Sequence, residues 1–240
     1  MPLASDPFAS ASALEGVPSA LAAARDGIDA LVRDLRGSRG RADLTAESLL
    51  RGAVASAQLE GSSSSLAMAR AGKPDAIAAG AIRLSTELLS LVRVVGYAPL
   101  QALARMHALA AGPDEPGRGR PRDDPPAVAR MTALARRLVT PTRAPALAVA
   151  ALVHAEIATA RPFATANGLV ARGAERLVLV ARGVDPGSVI VPEAGHLAAA
   201  DSYAESLVAY SRGGEVGVRR WLLHSAEAYS RGAVESPLNE

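Results

Sequence analysis

None of the 240 residues is cysteine, which removes disulfides, thiol nucleophiles and cysteine-ligated metals and agrees with a reducing, cytoplasmic setting. Aromatic residues make up only 3% of the chain. Strands draw on aromatic and β-branched side chains, so their scarcity beside abundant alanine, leucine and arginine predicts an all-α protein. Long basic blocks are missing too. A formal charge of +2 with a pI near 9.4 is mild for 24.5 kDa, and no basic stripe of the kind a nucleic-acid binder needs is present, so no nucleic-acid partner is expected. The histidines His107, His154, His196 and His224 are dispersed without the spacing of a helical zinc motif, and no metal site is expected from them. The first 24 residues lack a basic start and carry Asp6 and Glu15, unlike a secretory signal. The most apolar run, Ala144 to Ala160, contains His154 and Glu156 and falls short of the ~20 residues of a bilayer span. It reads as a buried core helix, with no membrane partner.

The length suits one sizeable core with a helical extension. Residues 1–17 are rich in alanine, serine and proline and are expected to be loosely ordered. From Leu21 to Leu35 the residues Ile28, Leu31, Val32 and Leu35 share a helical face that Gly37 stops. Thr45 is a plausible N-cap for a helix with core face Leu49, Leu50, Ala53, Val54 and Ala57, ending at Gly61. After a polar break at Ser62 to Ser65, one helix is predicted over 74–96 with Ile77, Ile82, Leu88, Leu89 and Val92 largely buried, and another from Pro99 to Ala111. The stretch Gly112 to Pro126 is too crowded with Pro, Gly, Arg and Asp for regular structure. Helices follow at 127–139, 144–160 and 168–182, a short extended piece at Val189 to Val191, closing helices at 194–210 and 216–229, and a tail after Gly232.

Residues 161–172 read Arg161-Pro162-Phe163-Ala164-Thr165-Ala166-Asn167-Gly168-Leu169-Val170-Ala171-Arg172. The stretch resembles the Fic (Fido) family signature His-Pro-Phe-x-Asp/Glu-Gly-Asn-Gly-Arg-x-x-Arg. Pro162, Phe163, Asn167, Gly168 and Arg172 are retained, while Arg161, Thr165, Ala166 and Leu169 stand where the family has histidine, acid, glycine and arginine. Upstream, Ser56-Ala57-Gln58-Leu59-Glu60-Gly61 is similar to the Ser/Thr-x-x-x-Glu-Gly/Asn motif of the family's inhibitory helix, and His154 falls where many members carry a histidine in the helix entering the signature. The resemblance covers roughly residues 45–225. It implies an all-α, Fic-like fold with at most a short flap hairpin in the 112–126 stretch, and a division into an N-terminal extension (1–44, partly disordered and then helical), an inhibitory-like helix (45–66), a core (67–232) and a tail (233–240).

In the family, the histidine deprotonates a target hydroxyl, the acid holds magnesium, and the loop with the following helix cradles the phosphates of ATP. The resemblance therefore implies a nucleotide ligand, ATP or another, held by Thr165, Ala166, Asn167, Gly168 and Arg172. Arg161 cannot serve as base, because a guanidinium stays protonated at any physiological pH. Thr165 is a poor substitute for a carboxylate on a hard cation, which leaves magnesium an open question, and Leu169 cannot pair with phosphate. His154, seven residues before Arg161, is either a replacement base or a core histidine. Ala166 would be strained if its position requires a positive φ.

Glu60 at the end of one helix and Arg172 in the first turn of another each oppose their own helix dipole, and two such violations invite one shared cause. By resemblance, Glu60 pairs with Arg172 and blocks the γ-phosphate position, with Ser56 on the same helical face as a brace. Three readings of function stay open: a degenerate Fic-domain protein that binds a nucleotide or protein partner with AMP transfer lost or impaired, an active transferase with altered chemistry, and a helical regulator comparable to an antitoxin. A protein target, a regulator or a second copy of the chain are the partners left open.

Overall fold

The computed structural model describes residues 6–37 and 40–239, and every regular element among them is helical. Helix α1 (Pro7–Ser12) opens on Asp6, whose carboxylate accepts from the Ala9 N–H at 3.1 Å, the Thr142 hydroxyl at 2.8 Å and the Arg143 N–H at 2.9 Å. With Phe8 buried beside it, this fastens the segment to the body. The loose order expected over residues 1–17 therefore does not hold from Asp6 on, and residues 1–5 lie outside the described residues. Helix α2 (Val17–Gly37) buries Val17, Leu21, Ala24, Ile28 and Leu31, a stripe at helical spacing. The side chain of Leu35 lies outside the described residues, and Gly37 is the last residue of the helix.

Helix α3 (Arg41–Leu59) begins before Thr45, whose hydroxyl is not a cap but donates to the Gly187 carbonyl at 2.6 Å. A short helix α4 (Leu66–Arg70), capped by Ser65, follows the polar break and was not expected. The single helix predicted over 74–96 is three pieces: α5 (Ala76–Leu88), a 3-10 turn at Leu89–Leu91 and α6 (Val92–Val95). Its buried face is Ala78, Ala81, Leu84 and Leu88, and Ile77 is exposed. Small residues win because α5 approaches α7 (Pro99–Ala110) so closely that a Cβ on Gly80 would lie 2.2 Å from the Ala110 carbonyl oxygen.

Residues 112–124 form turns without a strand, so no hairpin is present among the described residues. Helix α8 (Pro125–Val139), capped by Asp124, leads to α9 (Ala146–Ala160), where Leu147 to Ala155 and Ile157 are all buried. An all-round apolar helix must be central: α1, α2, α8, α10, α12 and α13 all pack on it. Helix α10 (Asn167–Ala181) returns alongside α9 and is itself buried over most of its length.

Val189 to Val191 make no strand; they are buried coil, tied by the Val191 N–H to the Gly232 carbonyl at 2.8 Å. Three closing helices replace the two expected: α11 (Pro192–Leu197), α12 (Ala200–Ser211) and α13 (Gly214–Val234). Gly232 does not stop α13. The Val191 carbonyl would lie 2.8 Å from a Cβ there, so the glycine permits a close approach. Beyond it, Ser236 and Pro237 are buried and the Asn239 amide donates to the Ala233 and Val234 carbonyls at 3.0 and 2.8 Å. Among the described residues no helix is long and apolar enough to cross a membrane.

Candidate functional site

Helix α9 ends because Arg161 turns left-handed, at φ 47° and ψ 58°, while its N–H still reaches the Ile157 carbonyl at 3.0 Å. The loop that follows is held from three sides. Arg122 donates its backbone N–H to the Pro162 carbonyl at 2.7 Å and its Nε to the Arg161 carbonyl at 2.8 Å. Phe163 is buried and stacks on the His107 ring at 4.2 Å. Asn167 folds back on the loop, its Oδ1 accepting from the Phe163 N–H at 2.9 Å and its Nδ2 donating to the Phe163 carbonyl at 2.8 Å. Two of the retained signature residues thus close one ring.

Ala166 then enters α10 at φ 54°, the left-handed conformation glycine tolerates, and its methyl costs roughly 1 kcal/mol there. No side chain of the N-cap residue accepts from the first turn of α10. The first N–H groups of a helix have no partner within it and carry the positive end of its dipole, so this turn presents positive partial charge. Arg161 and Thr165 are exposed beside it, whereas Leu169 is buried in the core.

The anion found there is Glu60. At the C-cap of α3, its Oε1 lies 2.7 Å from Arg172 Nη2, and a Cβ built on Gly168 would fall 1.9 Å from that oxygen. The carboxylate therefore sits against the first turn of α10. Placed badly with respect to α3's own dipole, it is placed well with respect to α10's. Arg172 is the sixth residue of α10, in its second turn rather than its first, and is 1% exposed. Its Nε donates to Ser56 Oγ at 2.8 Å, its Nη2 also to the Ser56 carbonyl at 2.9 Å, and its Nη1 to the Tyr203 hydroxyl at 2.8 Å. Ser56, Glu60, Gly168 and Arg172 are thus brought together.

One turn on, Arg176 makes a second clamp that the sequence reading missed. Its Nε and Nη2 form a paired contact with the two oxygens of Glu193 at 2.9 and 2.6 Å, and its Nη1 donates to Ser48 Oγ at 3.1 Å and Ser188 Oγ at 3.0 Å. Gly52 is obligatory here, since a Cβ would lie 2.5 Å from Arg176 Nη2 and 2.8 Å from Glu193 Oε2. The Arg-x-x-x-Arg spacing on one apolar helix was the available signal.

His154 is a core histidine. It is fully buried, hydrogen-bonded to Glu175 at 2.9 Å through Nδ1 and to Tyr203 at 3.0 Å through Nε2, and pushed down to about 4, chiefly by burial. His196 joins the same Glu175 oxygen at 3.1 Å and meets His224 at 3.0 Å, and burial pushes His224 down to about 3. Burial alone would raise the Glu175 carboxyl, but the imidazole groups outweigh it and hold it below the usual range. The donor atoms of His154, Glu175 and His196 lie within 4.8 Å of one another, a spread that suits a metal ion. The hydrogen bonding does not suit one. A cation would displace the protons joining both imidazoles to Glu175, and His154 and Arg172 would then both donate to Tyr203, leaving the tyrosine proton no acceptor among its two partners.

At the loop's outer side the Thr165 hydroxyl donates to Glu115 Oε2 at 3.4 Å, from the turn-rich 112–124 connection. His107 lies beneath the loop, accepting from the Gly119 N–H at 3.0 Å and fully buried, so it does not reach the exposed position of Arg161.

No protein-family model matches the chain. No curated protein matches its sequence. Among solved structures it is similar to a Fic family protein from Desulfovibrio desulfuricans G20, with a TM-score of 0.70 over 90% of this chain and 74% of that one at 17% identity. It is also similar to Fic-1 (residues 134–508) from C. elegans, with a TM-score of 0.67 over 91% and 73% at 16% identity. The chain has the all-helical Fic, or Fido, fold.

Proposed function

We propose that this chain is a Fic-fold anion receptor, taking a nucleotide phosphate at the first turn of α10, with AMP transfer lost or strongly impaired. The observation that carries the reading is Glu60: a carboxylate already occupies the cradle, seated against Gly168 and bonded to Arg172. A site that holds one anion in cis has the donors to hold another, and Glu60, 33% exposed at its side chain, has water to retreat to.

Transfer requires more. Arg161 cannot accept a proton from a hydroxyl, and neither nearby histidine replaces it: His154 has both nitrogens engaged in the core and His107 lies under the loop. Removing a positioned base costs on the order of a hundred- to ten-thousand-fold. A retained transferase activity with altered chemistry draws its support from Glu115, the carboxylate next to Thr165.

Calorimetric titration with ATP tests binding: Glu60→Gly should bind and the native chain should bind more weakly. Absence of ATP binding in both refutes the receptor reading. In a labelled-ATP assay, native protein should not modify itself or lysate proteins. Labelling at the rate of an active Fic enzyme would refute the impairment.

A further inference from the structure

We propose that Tyr203 is a positioning residue for Arg172, fixed in that role by the His154–Glu175 pair behind it; the inference rests on the anion-site reading above. The argument follows the direction of the protons. A guanidinium only donates, so at 2.8 Å the Tyr203 oxygen accepts from Arg172 Nη1. The tyrosine's own proton then goes to its other partner, His154 Nε2 at 3.0 Å. With Nε2 bare, the neutral imidazole carries its proton on Nδ1, where Glu175 Oε2 accepts it at 2.9 Å.

A second arm runs to the same carboxylate. Ser202 Oγ meets His224 Nδ1 at 3.1 Å, His224 Nε2 meets His196 Nδ1 at 3.0 Å, and His196 Nε2 donates to Glu175 Oε2 at 3.1 Å. Tyr229 donates to the other oxygen at 2.8 Å. With Glu175 ionised and His154 neutral, each bond of the first arm has one donor and one acceptor. Glu175 sets the direction of the arm that reaches Arg172: it selects the His154 tautomer, His154 commits the Tyr203 proton, and the Tyr203 lone pair is left for Arg172.

Three of the Arg172 contacts thus come from the body, through Tyr203, Ser56 Oγ and the Ser56 carbonyl, and the fourth comes from Glu60 at the mouth. When Glu60 leaves and a phosphate enters, the body contacts keep the guanidinium plane where it was. Pre-organisation of this kind raises affinity by sparing the incoming ligand the cost of ordering the arginine.

The test uses Glu60→Gly as parent and ATP as probe. Adding Tyr203→Phe should weaken ATP binding on the order of tenfold. Tyr229→Phe removes the buried hydroxyl that donates to Glu175 and should lower the Tm while leaving affinity within about twofold. In the native chain, nitrogen-15 spectra should show His154 protonated on Nδ1. The proposal is overturned if Tyr203→Phe binds ATP as the parent does, if both tyrosine variants lose equally, or if His154 carries its proton on Nε2. Should the parent itself bind no ATP, the functional reading fails instead. In that case, or if Tyr203→Phe does not fold, the His154 tautomer decides.

Discussion

Arg172 and Arg176 leave α10 one turn apart, both buried, and each takes a serine of α3 and a glutamate, yet the two clamps differ in who can leave. Glu193 meets Arg176 with both oxygens, and its side chain is 6% exposed; Glu60 meets Arg172 with one oxygen and is 33% exposed. Removing water from an ion pair makes it permanent, because neither charge has another place to go. The same chemistry with one wall open becomes exchangeable. Arg176 is a rivet between α3, α10 and α11, and Arg172 is a socket.

The strongest way to break this comparison is to delete the arginines. Arg176→Leu strands the Glu193 carboxylate in the core and should cost about 3–5 kcal/mol in urea unfolding. Arg172→Leu should lose less, because Glu60 can turn to solvent. Equal losses would show that the two clamps are alike.

Acid should sharpen the difference. The histidine chain ends on Arg172 through Tyr203, and among the described residues no histidine bonds to Arg176. The folded His154 is depressed to about 4 from 6.5, so between these values the unfolded chain takes up a proton that the folded chain refuses. Stability is therefore intact above pH 6.5 and falls as the pH drops toward 4, by on the order of 3 kcal/mol from His154 alone. Urea midpoints measured across that range should decline steeply for the native chain and more gently for His154→Phe.

The smallest effect comes from two left-handed residues, one at each clamp. Ala166 (φ 54°) precedes the socket and Ser188 (φ 49°) lines the rivet. Ala166→Gly should raise stability by up to about 1 kcal/mol through relief of strain. Ser188→Gly relieves similar strain but deletes a hydroxyl that accepts from Arg176, so its Tm should fall. A matching rise in both would remove the distinction.

Most helices were legible in the sequence because apolar residues at helical spacing and Gly or Pro punctuation report local structure directly. The motif loop was legible as well, and so was the pairing of Glu60 with Arg172. What escaped was decided by partners far along the chain. Asp6 orders α1 through Thr142, Gly80 lets α5 approach α7, Gly232 admits the Val191 carbonyl rather than ending α13, and the break within 74–96 carries no proline. The Glu175 network was invisible because its members lie on α9, α10, α11, α12 and α13 and share no spacing.

Gly168 also constrains how such a chain can drift. Its α-carbon has no room for a methyl because the far end of Glu60 is there, whereas Gly52 has none because Arg176 and Glu193 are there. Glu60 can swing away and the Arg176 pair cannot. A lineage could therefore acquire alanine at 168 at little cost in folding, and in that single step evict the carboxylate while codon 60 stayed intact. At position 52 the same step would be purged.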